Sequence, residues 1–233
     1  GGQLDSVMNY PFKEAILNYV KFGNPDVLTD GVMTIVEHYP KPSTDILMNF
    51  LSTHDTERAL TRLAGDDVGW NGREWQSEHS LSDEQFVFGI SLLHCAMVLQ
   101  FFLPGIPSVY YADEAGQEGY KDPFNRRTYP WGNEDERLIE FTKELGAIRR
   151  KLKVFAKGDI KFIDVTKDYA VFSRTDREIG EQAVIVLNRS RKTRTFKISD
   201  LVKEGNHEII RGIGLDDSIK VDAFDYGVIS VKL

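Results

Sequence analysis

The residues best suited to chemistry are His54 and Asp55, side by side at the end of the apolar stretch Ile46 to Ser52 and followed by Thr56-Glu57-Arg58. An imidazole beside a carboxylate at a strand end can bind hydroxyls, move a proton or steady a developing positive charge. Plainer readings stand beside this one. Asp55 can cap the next helix, Glu57 and Arg58 can form a surface pair, or Arg58 can hold Asp55 in its charged form. Metal catalysis is disfavoured, because the HxH and HExxH spacings that would bring further ligands to His54 and Asp55 are absent.

A second dense segment runs from Tyr110-Tyr111-Ala112-Asp113-Glu114 through the loop Gly116 to Trp131. That loop is too long and too particular for a connector. Its Asp and Arg side chains can grip vicinal hydroxyls while Tyr and Trp stack on a sugar ring, the mix a neutral polyol needs. The alternative is that Tyr129 and Trp131 seal the core beside the next helix. Neither GxxxxGK[ST] nor GxGxxG occurs, so phosphate binding is disfavoured.

These side chains need elements to position them. Leu4 to Met8 is β-prone, Pro11 suits the first position of a helix over Phe12 to Phe22, and a second helix is expected over Asp26 to Glu37. Ile46 to Ser52 reads as an apolar strand and Gly65 to His79 as a polar loop. Ser82 and Gln85 then make a capping box ahead of an apolar helix that Pro104-Gly105 ends. Ile106 to Tyr111 reads as a buried strand and Glu134 to Arg150 as a charged helix. Strands alternating with helices imply a parallel sheet, whose loops at the strands' carboxyl ends share one mouth. Past Lys153 short strands recur: Ile160 to Val165, Tyr169 to Arg174, Ala183 to Asn188, Thr193 to Ile198, Glu208 to Arg211 and Val228 to Leu233. This spacing predicts an antiparallel sandwich, with the domain boundary between residues 152 and 153.

Composition narrows the partners. The 233 residues are 41 % hydrophobic and 28 % charged, ordinary for a chain with a real core. The net charge of −7 argues against nucleic acid and anionic lipid as partners. Phe86 to Leu103 approaches membrane-spanning length, but Ser91, His94 and Gln100 interrupt it, so a core helix is expected and no membrane partner. Cys95 is the single cysteine, which excludes an intrachain disulfide and fits a reducing compartment; a cytoplasmic location is expected over a secreted one. Gly1-Gly2-Gln3-Leu4-Asp5 lacks an initiator Met and signal-peptide features, and reads as cut from something longer.

At these residues the sequence resembles the α-amylase family of glycoside hydrolases, nearest its neopullulanase, cyclomaltodextrinase and maltogenic amylase branch. The carriers are Asp5 to Phe12 (DSVMNYPF), Phe50 to Arg58 (FLSTHDTER), Leu103 to Glu114 (LPGIPSVYYADE) and Lys121 to Arg127 (KDPFNRR) running to Pro130-Trp131, in order and at the right spacing. The resemblance implies an α/β fold: a partial (β/α)8 TIM barrel, strands six to eight with their helices, over residues 1–152, then an all-β C-terminal antiparallel sandwich over 153–233. It also implies a retaining hydrolase of α-1,4-linked glucans such as malto-oligosaccharides, cyclodextrins or pullulan, with α-1,6 links left open.

Of the family's three active-site carboxylates only the third has a counterpart here, Asp55, which by resemblance stabilises the transition state. His54, Asp122 and Arg126 match substrate-binding positions, and Glu57 and Arg58 match supports. Nucleophile and general acid are missing, so the chain alone is expected to be inactive, because retaining hydrolysis needs two carboxylates about 5 Å apart. Asp113, Glu114 and Glu118 are not expected to replace them. No cofactor is implied; calcium stays open for the full-length parent. The expected partner is an α-glucan oligosaccharide, with a homodimer through exposed barrel edges as a further expectation. Two rivals remain, a transglycosylase and a noncatalytic carbohydrate-binding or interaction module on the same fold.

Overall fold

The computed structural model describes residues 6–233. The first strand pairing is a single parallel bridge between Met8 and Met48, and the expected strand over Leu4 to Met8 lies mostly outside the described residues. Helix α1 (Tyr10–Phe22) starts two residues earlier than expected, because Asn9 caps it by accepting the Phe12 N–H and Pro11 sits inside its first turn. Helices α2 (Pro25–His38) and α3 (Lys41–Thr44) lead to strand β1 (Met48–Asn49). Then follow α4 (Ala59–Ala64), α5 (Arg73–Glu78), α6 (Asp83–Phe102) and strand β2 (Ile106–Pro107). Within the segment expected to be a loop, α5 is a correction: only Gln76 of it is buried, so no apolar stripe announced it.

Met8, β1 and β2 lie side by side in parallel, with Met48 opposite Ile106 and Asn49 opposite Pro107. Both strands are far shorter than expected, and β2 is not buried, since Ile106 is 50 % exposed. Pro107 has no N–H to extend the ladder, and among the described residues no strand flanks β2 on its other side. Side-chain amides do the aligning instead. Asn9 Nδ2 donates to Asn49 Oδ1 at 2.9 Å, Asn49 Nδ2 to the Pro104 carbonyl at 2.7 Å, and Gln100 Nε2 to the carbonyls of Asn49 and Ser108 at 3.2 and 3.0 Å. Gly105 makes room for this ladder: it sits at φ +109°, and a Cβ there would lie 2.6 Å from the Leu47 carbonyl.

The capping box at Ser82 and Gln85 forms as the sequence predicts, and α6 runs as a buried helix through Leu92, Ala96 and Leu99 to Phe102. Burial pushes the Cys95 thiol up to about 12, which leaves it unreactive. Helix α7 (Glu136–Lys151), capped by Asp135, packs on α6 and is followed by α8 (Val154–Lys157).

Next come β3 (Asp159–Val165), β4 (Tyr169–Asp176), β5 (Glu181–Asn188), β6 (Arg194–Lys197), α9 (Ile198–Leu201), β7 (Asn206–Arg211), β8 (Ile213–Leu215), β9 (Ser218–Val221) and β10 (Asp225–Lys232). They form two antiparallel sheets, ordered β3-β4-β5-β10-β7 and β6-β9-β8. Val184, Val186, Ile219, Val221 and Ile229 fill the space between the sheets. The other face of the larger sheet joins the helical core, where Phe102 lies 4.8 Å from Phe155 and 5.9 Å from Tyr226. Arg189, just past β5, closes the carboxyl end of α1 by donating from Nε to the Val20 carbonyl at 2.7 Å and from Nη2 to that of Lys21 at 3.0 Å.

Candidate functional site

Strand β1 exits through Phe50 and Leu51 into the turn Thr53 to Thr56, which carries the paired His and Asp. His54 Nε2 lies 3.3 Å from Asp55 Oδ1, and both side chains stand more than half exposed. Arg126 reaches the same carboxylate at 4.0 Å and pairs with Asp122 at 2.9 Å. The four candidate contact residues therefore form one row, His54, Asp55, Arg126, Asp122, in which an imidazole and a guanidinium alternate with two carboxylates along a solvent-facing surface. Such a row offers both donors and acceptors to the hydroxyls of a polyol.

The two supporting candidates lie behind this row. Glu57 pairs with Arg62 at 3.5 Å. Arg58 is fully buried and does not pair with Asp55, which corrects one of the readings of the sequence. Its Nη1 donates to the Tyr111 carbonyl and to Asp113 Oδ1, the latter at 3.2 Å, and its Nε to the Asn125 carbonyl at 2.8 Å. The guanidinium also lies over the rings of Tyr110 and Tyr111, 4.3 and 4.6 Å from their centroids. One side chain thus ties together the turn after β1 and both parts of the segment after β2.

Asp113 completes the knot by accepting from Ser52 Oγ at 2.9 Å. Burial pushes its carboxyl up to about 6, against the opposing pull of Arg58 and the Ser52 hydroxyl. Ser52 Oγ in turn accepts the Ala59 N–H at 2.8 Å, so Ser52 rather than Asp55 satisfies the start of α4. Gly119 is required by close approach: it donates to Thr61 Oγ1 at 2.8 Å, and a Cβ there would fall 2.2 Å from the Phe124 carbonyl.

Two of the other acidic groups near the mouth, Asp113 and Glu118, belong to the scaffold, while Glu114 keeps a buried Oε2 without a hydrogen-bond partner. Asp113 is locked as above, and Glu118 accepts the Leu81 N–H at 2.7 Å while facing Arg127 at 3.9 Å. Tyr129 and Trp131 do not seal the core. Their rings lie 4.5 Å apart and Trp131 is 79 % exposed, leaving an aromatic face free to stack on a ligand. A hollow of about 1020 Å³ lies beside Ile46 at the opposite end of β1, lined by Lys41, Asp45, Phe162 and Lys203, away from the row. Among the described residues no three His, Cys, Asp or Glu side chains converge as a metal-holding group.

Sequence reasoning did not single out Asn125, a buried amide in the loop after β2, although it lies within the KDPFNRR segment that carries the family resemblance.

No family model matches the chain. It is 37 % identical over 186 residues to an amylopullulanase from Thermoanaerobacter thermohydrosulfuricus, matching 75 % of this chain and 12 % of that protein. It is 31 % identical over 198 residues to a cyclomaltodextrinase from Geobacillus thermopakistaniensis, matching 82 % of this chain and 29 % of the relative. The chain therefore spans well under half the length of these relatives. Among solved structures, the ligand-free cyclic α-maltosyl-(1→6)-maltose hydrolase from Arthrobacter globiformis superposes with a TM-score of 0.78 at 22 % identity, over 99 % of this chain and 46 % of that one. An α-amylase from Geobacillus thermoleovorans, complexed with acarbose, gives 0.75 at 23 % identity, over 99 % and 48 %.

Proposed function

We propose that this chain, which belongs to the α-amylase family of glycoside hydrolases, is the carboxyl-terminal part of a retaining α-glucan hydrolase. Its three parallel neighbours are strands six, seven and eight of a (β/α)8 barrel, and the sheets beyond residue 152 are the sandwich that follows. The observation that carries this reading is the row His54, Asp55, Arg126, Asp122 at the exit of the middle strand.

Hydrolysis with retention divides the work between a nucleophilic carboxylate and a carboxylic acid about 5 Å away. Asp55 cannot do both. Its contribution is to bind sugar hydroxyls as the ring flattens and to keep the neighbouring acid protonated through its negative charge. His54 hydrogen-bonds the same ring, while Asp122 and Arg126 hold the next sugar. Nucleophile and acid come from a segment outside these 233 residues. Malto-oligosaccharides, cyclodextrins and pullulan are the proposed substrates, with water intercepting the glycosyl intermediate.

The expected outcome is that the chain alone releases no reducing sugar from maltotriose, β-cyclodextrin or pullulan and gains activity when mixed with the upstream segment produced separately, and that Asp55→Asn abolishes that gain. Release by the chain alone would overturn the mechanism. The exposed Tyr129–Trp131 face favours a second reading, a noncatalytic carbohydrate-binding module. Maltose binding without any complementation would support it. The solvent-facing edge of β2 also favours self-association; a monodisperse 26.5 kDa species in light scattering would count against that.

A further inference from the structure

The turn that carries Asp55 is held from two sides. From within, the Asp55 N–H donates to Thr53 Oγ1 at 3.1 Å and the Thr53 N–H to Thr56 Oγ1 at 3.2 Å. The carbonyls of Thr53, His54 and Thr56 all point outward to one place, and the Asn125 amide occupies it. Asn125 Nδ2 lies 3.2, 2.9 and 2.7 Å from these three oxygens.

Three carbonyl oxygens around one point repel one another unless a donor stands between them. A primary amide is a neutral group with two N–H bonds on one atom, and it suits that place. Asn125 is itself fixed: it is fully buried, and its main-chain carbonyl accepts Arg58 Nε at 2.8 Å, with Arg58 tied to Asp113. The next residue, Arg126, adds a donation from Nε to the His54 carbonyl at 3.0 Å. The loop after β2 thus grips the turn after β1 through its backbone. This grip and one 4.0 Å contact set where Asp55 stands relative to the Asp122–Arg126 pair.

We infer that Asn125 is a positioning residue for the reaction, which holds the Thr53–Thr56 turn so that the Asp55 carboxylate keeps its place in the row. The inference rests on the reading of Asp55 as the transition-state carboxylate. An apolar side chain of similar size would fill the space and take a donor from all three carbonyls, leaving that of His54 with Arg126 Nε at 3.0 Å and that of Thr53 with the Thr56 N–H at 3.4 Å. A carboxylate would set a negative charge against them, which raises its pKa, and only its protonated form could donate.

The test uses the full-length enzyme that contains this chain, with maltotriose as substrate. Asn125→Ala lowers kcat about a hundredfold, as expected for a misplaced catalytic group, with KM moved by no more than about threefold. Asn125→Asp regains activity relative to the unsubstituted enzyme as pH falls from about 7 to about 5, because protonation restores one donor. The Asn125→Ala ratio stays flat over the same range. A merely structural role would lower stability and leave kcat per folded molecule unchanged in both variants. In the 233-residue chain, amide hydrogen exchange reads the turn without any activity: Asn125→Ala speeds exchange at Thr53 and Asp55 and leaves β5 unchanged. Unaltered kcat together with unaltered exchange at those two amides overturns the inference. If Asn125→Ala unfolds the chain throughout, the pH profile of Asn125→Asp decides. If Asp55→Asn retains full activity, the reading of Asp55 has failed, and the exchange result still judges whether Asn125 shapes the turn.

Discussion

In the larger sandwich sheet, β4 and β5 pair along their whole length, Tyr169 against Asn188 through Asp176 against Glu181, and aliphatic side chains fill both faces. In the wall that carries the candidate site, β1 and β2 share only two residue pairs, and order comes from buried amides, a buried arginine and a buried carboxylate. The sandwich is held by non-directional packing, so trimming any one side chain is spread over many neighbours. The wall depends on a few directional groups, each with several partners. A surface held open for a ligand has little apolar packing to give, and directional bonds supply the stiffness a positioned carboxylate needs.

This contrast can be broken by substitution. Arg58→Met has the largest expected effect, about 3–5 kcal/mol, since it strands the Asp113 charge and two carbonyls in the interior. At roughly 2–4 °C per kcal/mol for a chain of this size, the melting temperature falls by about 10 °C in thermal circular dichroism. Arg174 is the comparison residue: it is equally buried but donates to the carbonyls of Gly158 and Phe102 with no ion pair among the described residues, and burial lowers its pKa. Arg174→Met therefore removes an uncompensated charge along with two hydrogen bonds and costs less, about 1–2 kcal/mol. Equal losses in the two variants would break the comparison.

In the sandwich, Ile185→Val costs about 1 kcal/mol by urea denaturation, because the deleted methylene leaves its neighbours and the ladder intact. Asp113 sharpens the contrast through pH. Its folded pKa, about 6, lies above the ordinary carboxylate value, so protonation favours the fold. Its stabilising contribution is full below about pH 4 and is lost as pH rises through about 6. The denaturation midpoint of the unsubstituted chain should accordingly gain on that of Asp113→Asn as pH falls from about 7 to about 4.5. A constant difference would mean that Arg58 holds the carboxylate charged throughout. The smallest effect is at Trp70, whose fully exposed ring buries nothing: Trp70→Ala shifts stability by less than about 0.5 kcal/mol in the same assay.

The same contrast governs what could be read from the sequence. Strands β3, β4, β5, β7 and β10 and helix α6 show in hydrophobic spacing and turn chemistry, because packing made them. Strands β8 and β9 do not show; β8 is only Ile213-Gly214-Leu215, and Asp216-Asp217 turns straight into β9. In the wall, residue types and the family resemblance point to His54, Asp55, Asp122 and Arg126. The ion pair of Arg58 with Asp113 does not show, since the two lie 55 residues apart and Asp55 is the nearer carboxylate in the chain. Asn125 lies within the KDPFNRR segment, but what it holds does not show, because its contacts are three backbone carbonyls, which every residue possesses.

The closure of α1 by Arg189 bears on how the molecule is made. The carbonyls of Val20 and Lys21 find their donors in a residue some 168 positions later, and Tyr19 donates to the Thr166 carbonyl across a comparable span. During synthesis from the amino end, α1 therefore leaves the ribosome with the Tyr19 carbonyl capped by the Gly23 N–H but those of Val20 and Lys21 still without their Arg189 donors. At about 5–20 residues per second it waits roughly ten seconds or more for the segment that finishes it. Until then its apolar face, with Phe12, Ile16 and Val20, is an invitation to chaperones and to neighbouring nascent chains.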